Sequence, residues 1–355
     1  MKNNNIKYFL AANSTEGFVS LFGKAFSHEN GYYTYIIKGG PGTGKSSFMK
    51  KLANSAIING EKVIFCPCSS DPDSLDAVIF QSRKIVVLDG TAPHTLDPKY
   101  PAVFDEILNF GQFWNSKKIL ADKKHIVSLS NENKAFHQKA SSFFKSACPL
   151  LKEQLSTALS VLEREKCESF AKKSALKHIP VKKAQPREEN VFLGGLTPKG
   201  IVYYPETIEN FERLIIINDR FGKASNIILE NVRQTAIKNG FDVITVKNPL
   251  LPSSLLDAVI IPELSLCYAR EYVYLSFSNK HKRIHAERFF NKNELQLQKA
   301  YLKQLQKEID SLLKLGCEAL GQAKNIHDKL EAYYIKNMDF KSLEGFLKDF
   351  SGKLL

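Results

Sequence analysis

Tryptophan occurs once and methionine three times in the 355 residues of the chain. Six cysteines, scattered, are too few for a disulfide framework, so a reducing compartment is expected. No uninterrupted run of about 18 apolar residues exists, which excludes a membrane-spanning helix. The opening MKNNNIKYFLAANS has only a five-residue apolar patch, short for the core of a secretory signal, and a cytoplasmic location is expected. Arginine is scarce: nine in all, with only Arg83 before Arg164. That weighs against enzymes that screen a transferred phosphoryl group and its acceptor with several bidentate cations. What is abundant is ordinary: 43% apolar and 25% charged residues describe a folded globular protein, and the length suits two domains.

The net charge of +13 is uneven. Residues 115–190 hold 16 lysines and arginines against 8 acidic residues, so most of the excess lies in one segment. That segment also has helical periodicity. A basic helix face attracts phosphate backbones, but a lysine-rich face is more often simply solvated. Nucleic acid is therefore a weakly supported partner, and the chain offers no reading of a protein partner or oligomeric state.

Self-comparison reveals a repeat. FLAANSTEGFVS at Phe9 matches FLGGLTPKGIVY at Phe192, NGEKVI at Asn59 matches NGFDVI at Asn239, and SLDAVIF at Ser74 matches LLDAVII at Leu255. The offsets are 183, 180 and 181, nearly constant, as a duplicated unit requires. Each unit opens with an α/β segment. YYTYIIK (32–38), KVIFC (62–66) and KIVVL (84–88) read as strands, and SSFMKKLANSAII reads as a helix closed by Asn59-Gly60. Alternating strands and helices predict a parallel sheet. Each unit then turns helical. Phe136, Ala140, Phe143, Ala147, Leu151, Leu155, Ala158 and Leu162 form one stripe, with Pro149 expected to kink it or start a second helix. Leu302, Leu305, Ile309, Leu312, Leu320, Ala323, Ile326 and Leu330 form the other. The expected fold class is α/β, made of tandem P-loop NTPase-like units, each with a helical arm. The expected boundaries are residues 1–178 (core 1–114, arm 115–178), a linker at 179–190, and residues 191–355 (core 191–289, arm 290–355).

Chemistry concentrates in GGPGTGKSS. Gly39, Gly40, Pro41, Gly42, Thr43 and Gly44 lead into Lys45, Ser46 and Ser47, which fits G-x-x-x-x-G-K-[ST]. Glycines let successive backbone N–H groups turn inward around an anion, and the following helix presents its positive end. Lys45 neutralises phosphate oxygens, and the Ser46 hydroxyl is a hard ligand for Mg²⁺. KIVVLD ends at Asp89, a carboxylate at a strand end suited to the same metal. Thr91 and His94 lie just beyond, and His94 is a candidate to sense phosphate or position water. In SSDPDSLD, Asp71, Asp73 and Asp76 are candidates for a base or a ligand. Asp71 is the strongest of the three, and its expected structural role is to cap a helix starting near Pro72. Cys66 and Cys68 have no second pair at zinc spacing.

The second copy lacks this chemistry. Gly222-Lys223-Ala224 aligns with Gly44-Lys45-Ser46, INDRF replaces GGPGT, and Arg270 aligns with Asp89. The second unit is read as a degenerate copy. Arg270 or Arg220 reaching the first site as an arginine finger is the sharper alternative.

GGPGTGKSS, SSDPDSLDAVI, DGTAPH and HDKLEAYYIKNMDF together resemble an uncharacterised family of bacterial ATP-binding proteins with two P-loop-like units. The resemblance spans nearly the whole chain and implies a cytoplasmic ATPase that binds nucleotide at Gly39–Ser46, with Asp89 and His94 in the same site. The expected function is Mg²⁺-dependent ATP binding and hydrolysis, with ATP and Mg²⁺ as cofactors. The alternatives are a nucleotide or small-molecule kinase and an ATP-gated module that binds nucleic acid or protein.

Overall fold

A computed structural model describes residues 6–22, 25–26, 28–92, 95–278 and 280–354. Its helices are α1 (Lys45–Ile58), α2 (Ser116–Ala121), α3 (Lys123–Ser160), α4 (Arg164–His178), α5 (Glu206–Glu209), α6 (Lys223–Lys238), α7 (Lys292–Ile335) and α8 (Phe340–Leu354).

Two six-stranded sheets share one strand order. The first runs Ile6–Lys7, Val63–Cys68, Asp71–Phe80, Ile85–Asp89, Tyr33–Lys38, Asp105–Asn109. The second runs Glu188–Phe192, Val243–Lys247, Leu256–Ile261, Leu266–Glu271, Arg213–Asn218, Lys282–His285. Both are mixed rather than parallel, because Asp71–Phe80 and Leu256–Ile261 run antiparallel to both neighbours. The helix expected near Pro72 is therefore absent. Residues 75–80, LDAVIF, are buried throughout, and an apolar, β-branched run of that kind is satisfied as a central strand reached by a tight hairpin.

Alternation along these strands builds two faces. Ile36, Ile79, Val86 and Leu88 of the first sheet enter one core together with Ile216, Ile260, Cys267 and Ala269 of the second. The intervening Ile37, Val78, Phe80 and Val87 face the other way, onto Phe48, Leu52 and Phe350. Ile217, Val259, Ile261 and Tyr268 do the same beneath Ile228, Val232 and Ala171. The sheets thus pack face to face, with the longer helices α1, α4, α6 and α8 on their outer faces and only the short α5 adding Ile208 to the core between them, which the period-2 strand geometry permits.

The two halves are interleaved. The N-terminal hairpin of each half joins the other's in a four-stranded sheet ordered Gly200–Tyr203, Gly194–Thr197, Ala11–Ser14, Gly17–Ser20. Phe9 and Phe192, repeat equivalents, exchange backbone hydrogen bonds of 2.8 and 3.0 Å. Equivalent residues meeting each other is the signature of an isologous, two-fold-like contact. The helical arms cross over as well. Helix α4 packs on α6, and α8 at the end of the chain packs on α1. Packing therefore crosses the division at residues 179–190.

Helices α3 and α7 run antiparallel, with Gln154 bonded to Gln306 and Asn133 bonded to the Ala323 carbonyl. Pro149 lies inside α3, which continues to Ser160 without starting a new helix there. Most of both expected stripes is buried, Ala140, Ala147, Leu151, Leu155 and Ala158 on α3 and Leu302, Leu305, Ile309, Leu320, Ala323, Ile326 and Leu330 on α7, but Phe144 and Leu313 take the places expected for Phe143 and Leu312.

Candidate functional site

The first glycine loop lies between the strand Tyr33–Lys38 and α1, the context its sequence pattern calls for. Gly44 caps the helix at φ +85° and Gly42 lies at φ +68°, backbone that side-chain-bearing residues rarely adopt. Thr43 is fully buried and donates its hydroxyl to the Gly40 carbonyl, pinning the turn. Lys45 Nζ donates to the Gly39 and Gly40 carbonyls at 3.0 and 2.8 Å and lies 3.5 Å from Asp89 Oδ2. Both side chains are well covered, at 11% and 17% exposed. Asp89 Oδ1 accepts from the backbone N–H and the hydroxyl of Thr91, so Thr91 orients the carboxylate from just beyond the strand. Ser46 Oγ accepts the Leu75 N–H at 3.0 Å, while Ser47 is exposed. Lys45, Ser46 and Asp89 are thus gathered at one edge of the sheet. His94 lies outside the described residues.

Asp71 accepts from the Asp73 N–H and the Ser74 hydroxyl and lies 3.5 Å from Lys324 Nζ. Asp73 points elsewhere, to Lys199. Burial and the neighbouring Asp76 charge push the Cys66 and Cys68 thiols well up, which keeps both protonated and inert.

The residues that complete this edge come from the far end of the chain. Gly42 donates its N–H to Glu331 Oε1 at 3.1 Å. A Cβ built on Gly42 would lie 2.8 Å from the Glu331 carbonyl oxygen, and one on Gly40 would lie 2.8 Å from the Tyr334 ring and 3.3 Å from Trp114. The last turns of α7 therefore rest on the loop, and Trp114 packs against Tyr334. His327, Asp328 and Glu331 place possible ligand atoms within 4.8 Å of one another, the only such group found among the described residues. Lys324 bridges Asp71 and Asp328. Partial burial opposes its charge, but the hydrogen bond to Asp328 and the nearby Asp71 outweigh this and raise its pKa. Glu331, Tyr334, Lys324 and Trp114 were not sequence-derived candidates. Glu331 and Tyr334 lie three residues apart within HDKLEAYYIKNMDF, a spacing that puts them on one helix face; Lys324 and Trp114 lie outside that stretch.

The second loop is two residues shorter, since Ile217 and Gly222 are five positions apart where Ile37 and Gly44 are seven, and it is filled from within. Helix α6 starts at Lys223 after Gly222, again at φ +85°. Strand register places Ile217 opposite Arg270 as it places Ile37 opposite Asp89, so the two residues are structural equivalents. Asp219 accepts the Phe221 and Ser225 N–H groups at 3.1 and 2.7 Å while only 2% exposed. Arg270 donates to the Asp219 and Arg220 carbonyls and stacks over Tyr272. At 4% exposure it is consumed inside its own half, which removes Arg270 as an arginine finger for the first loop.

Comparison with known proteins finds no match to any family model, any curated protein or any solved structure, so the functional reading rests on the geometry of this edge.

Proposed function

We propose that the protein binds Mg–ATP at Gly39–Ser46 and hydrolyses it, with the second half a folded P-loop-like copy whose own loop is filled. One observation carries this reading. A glycine loop with two left-handed residues opens directly into α1, so backbone N–H groups and a helix N-terminus converge where Lys45 and Asp89 lie 3.5 Å apart. The donor set fits Mg²⁺, since a first-turn serine hydroxyl and a strand-end carboxylate are hard oxygen ligands. When bound, Mg²⁺ would neutralise charge building on the phosphate oxygens. Lys45 would exchange its two loop carbonyls for phosphate oxygens, and Asp71 with Lys324 would line the outer wall.

Phosphate release from Mg–ATP tests the reading. The wild type is expected to release free phosphate, and Lys45→Ala is expected to lose at least a hundredfold, on the order of the loss when one preorganised donor is removed. Phosphate transferred to an added nucleotide would make the protein a kinase instead. Binding without turnover would make it an ATP-gated module.

A further inference from the structure

The end of α7 sits on the first loop in a way that no local pattern in the chain leads one to expect, and the second loop explains why. A nest of inward-facing N–H groups at a helix start is costly to bury without an anion. In the second half Asp219, three residues before Gly222, supplies that anion permanently. The first loop, two residues longer, has no carboxylate between the strand end Lys38 and Gly44. There the anion is Glu331, separated by 289 residues from the amide it accepts and carried by the opposite half's arm. Its side chain is 32% exposed, against a fully enclosed Asp219, so it can leave. Close packing of Tyr334 and Glu331 on Gly40 and Gly42 also leaves no layer of space over the loop.

We propose that Glu331 is a displaceable anion of the first loop: a nucleotide polyphosphate binds by taking the Gly42 amide from Glu331, which lifts the end of α7 off the loop. The proposal rests on the nucleotide-binding reading and adds a coupling to it. The arm's end is tied to the segment 113–125: Lys336 to Asp122, the Asn337 carbonyl to the Asn115 N–H, the Asp339 N–H to the Phe113 carbonyl, Tyr333 to His125, and Tyr334 to Trp114. Displacement by phosphate is therefore transmitted to the joint between α7 and α8, and through α8 to the outer face of α1.

Trp114 is the only tryptophan and touches the moving segment, so its emission reports the step without a label. Full-length wild type and Glu331→Gln would each be titrated with Mg–ATP and with pyrophosphate, by calorimetry and by tryptophan emission. Glutamine keeps the shape and loses the charge, so it competes less for the amide. Binding should tighten roughly tenfold, as expected when a charge-assisted hydrogen bond no longer has to be replaced. In wild type the emission should change in step with the calorimetric isotherm. Equal or weaker affinity in Glu331→Gln overturns the proposal and leaves nucleotide binding standing, as does binding heat with unchanged Trp114 emission. No heat from either protein with either probe removes the nucleotide reading, and this proposal with it.

Discussion

Asp219 is nearly sealed from solvent and holds two amide donors, so Asp219→Ala strands both. Buried donors left unpaired cost about 1–3 kcal/mol, and urea denaturation should show a loss of that size. Glu189 offers a second residue-level test. Burial and the nearby Asp242 charge push its carboxyl up to about 7 from the ordinary 4.5, while Arg187 pulls it down only partly. The folded state therefore holds the proton more tightly than the unfolded chain. Its contribution is fully present below pH 4.5 and is lost as pH rises towards about 7. Glu189→Gln should leave stability unchanged near pH 4 and raise it at pH 8 by on the order of 1–3 kcal/mol, flattening this part of the pH–stability curve. Thermal melts at the two pH values check the sign.

Among the elements, the α3–α7 pair depends on close approach. A Cβ on Gly316 of α7 would meet the Phe144 ring of α3 at 2.2 Å, in the fully buried middle of the interface. Gly316→Ala should destabilise by about 1–3 kcal/mol through overpacking, despite the better helix propensity of alanine. Helix α8 is the outer cover of the first sheet: Phe350 packs on Tyr35 and Phe48, and Leu343 lies over Gly44. Phe350→Ala should cost about 3–5 kcal/mol, measured by denaturation. Along α3, Lys123, Lys124, Lys134, Lys139, Lys145 and Lys152 are exposed, and Lys139 covers Phe136, which favours a solvated face. No helix among the described residues is long and apolar enough to cross a membrane.

At the scale of the molecule, the halves cannot be separated without exposing a core. The cluster between the sheets draws on both, the shared four-stranded sheet pairs Leu196 with Asn13, α4 packs on α6 and α8 packs on α1. A fragment of residues 1–178 should therefore fail to fold cooperatively alone and recover on mixing with 179–355, as gel filtration and circular dichroism would show. The intact chain should unfold in a single calorimetric transition.

Local chemistry is legible in short stretches of the chain. Glycine spacing and the lysine after it mark the loop, because only certain residues tolerate left-handed backbone at a helix start. A constant offset aligns Asp89 with Arg270, and strand register places both at the same point. The 3.6-residue stripes mark α3 and α7, though one position off at Phe144 and Leu313, since a helix's buried face depends on its partner. Asp71-Pro72 reads as a helix start because its capping signals are local, whereas the hairpin that overrides them is decided by burial of 75–80 between two strands. Glu331 is illegible for a stronger reason. Nothing in a helical HDKLEAYY says which loop it will touch; that follows only once the arms cross, when α7 ends on the first loop and Glu331 accepts the Gly42 N–H. Sequence thus determined where the glycine loop opens into α1 with Lys45 and Ser46 at its start, because that geometry resides in a few consecutive residues. Tertiary structure alone decided which helix closes over them, because that depends on how the two halves pack.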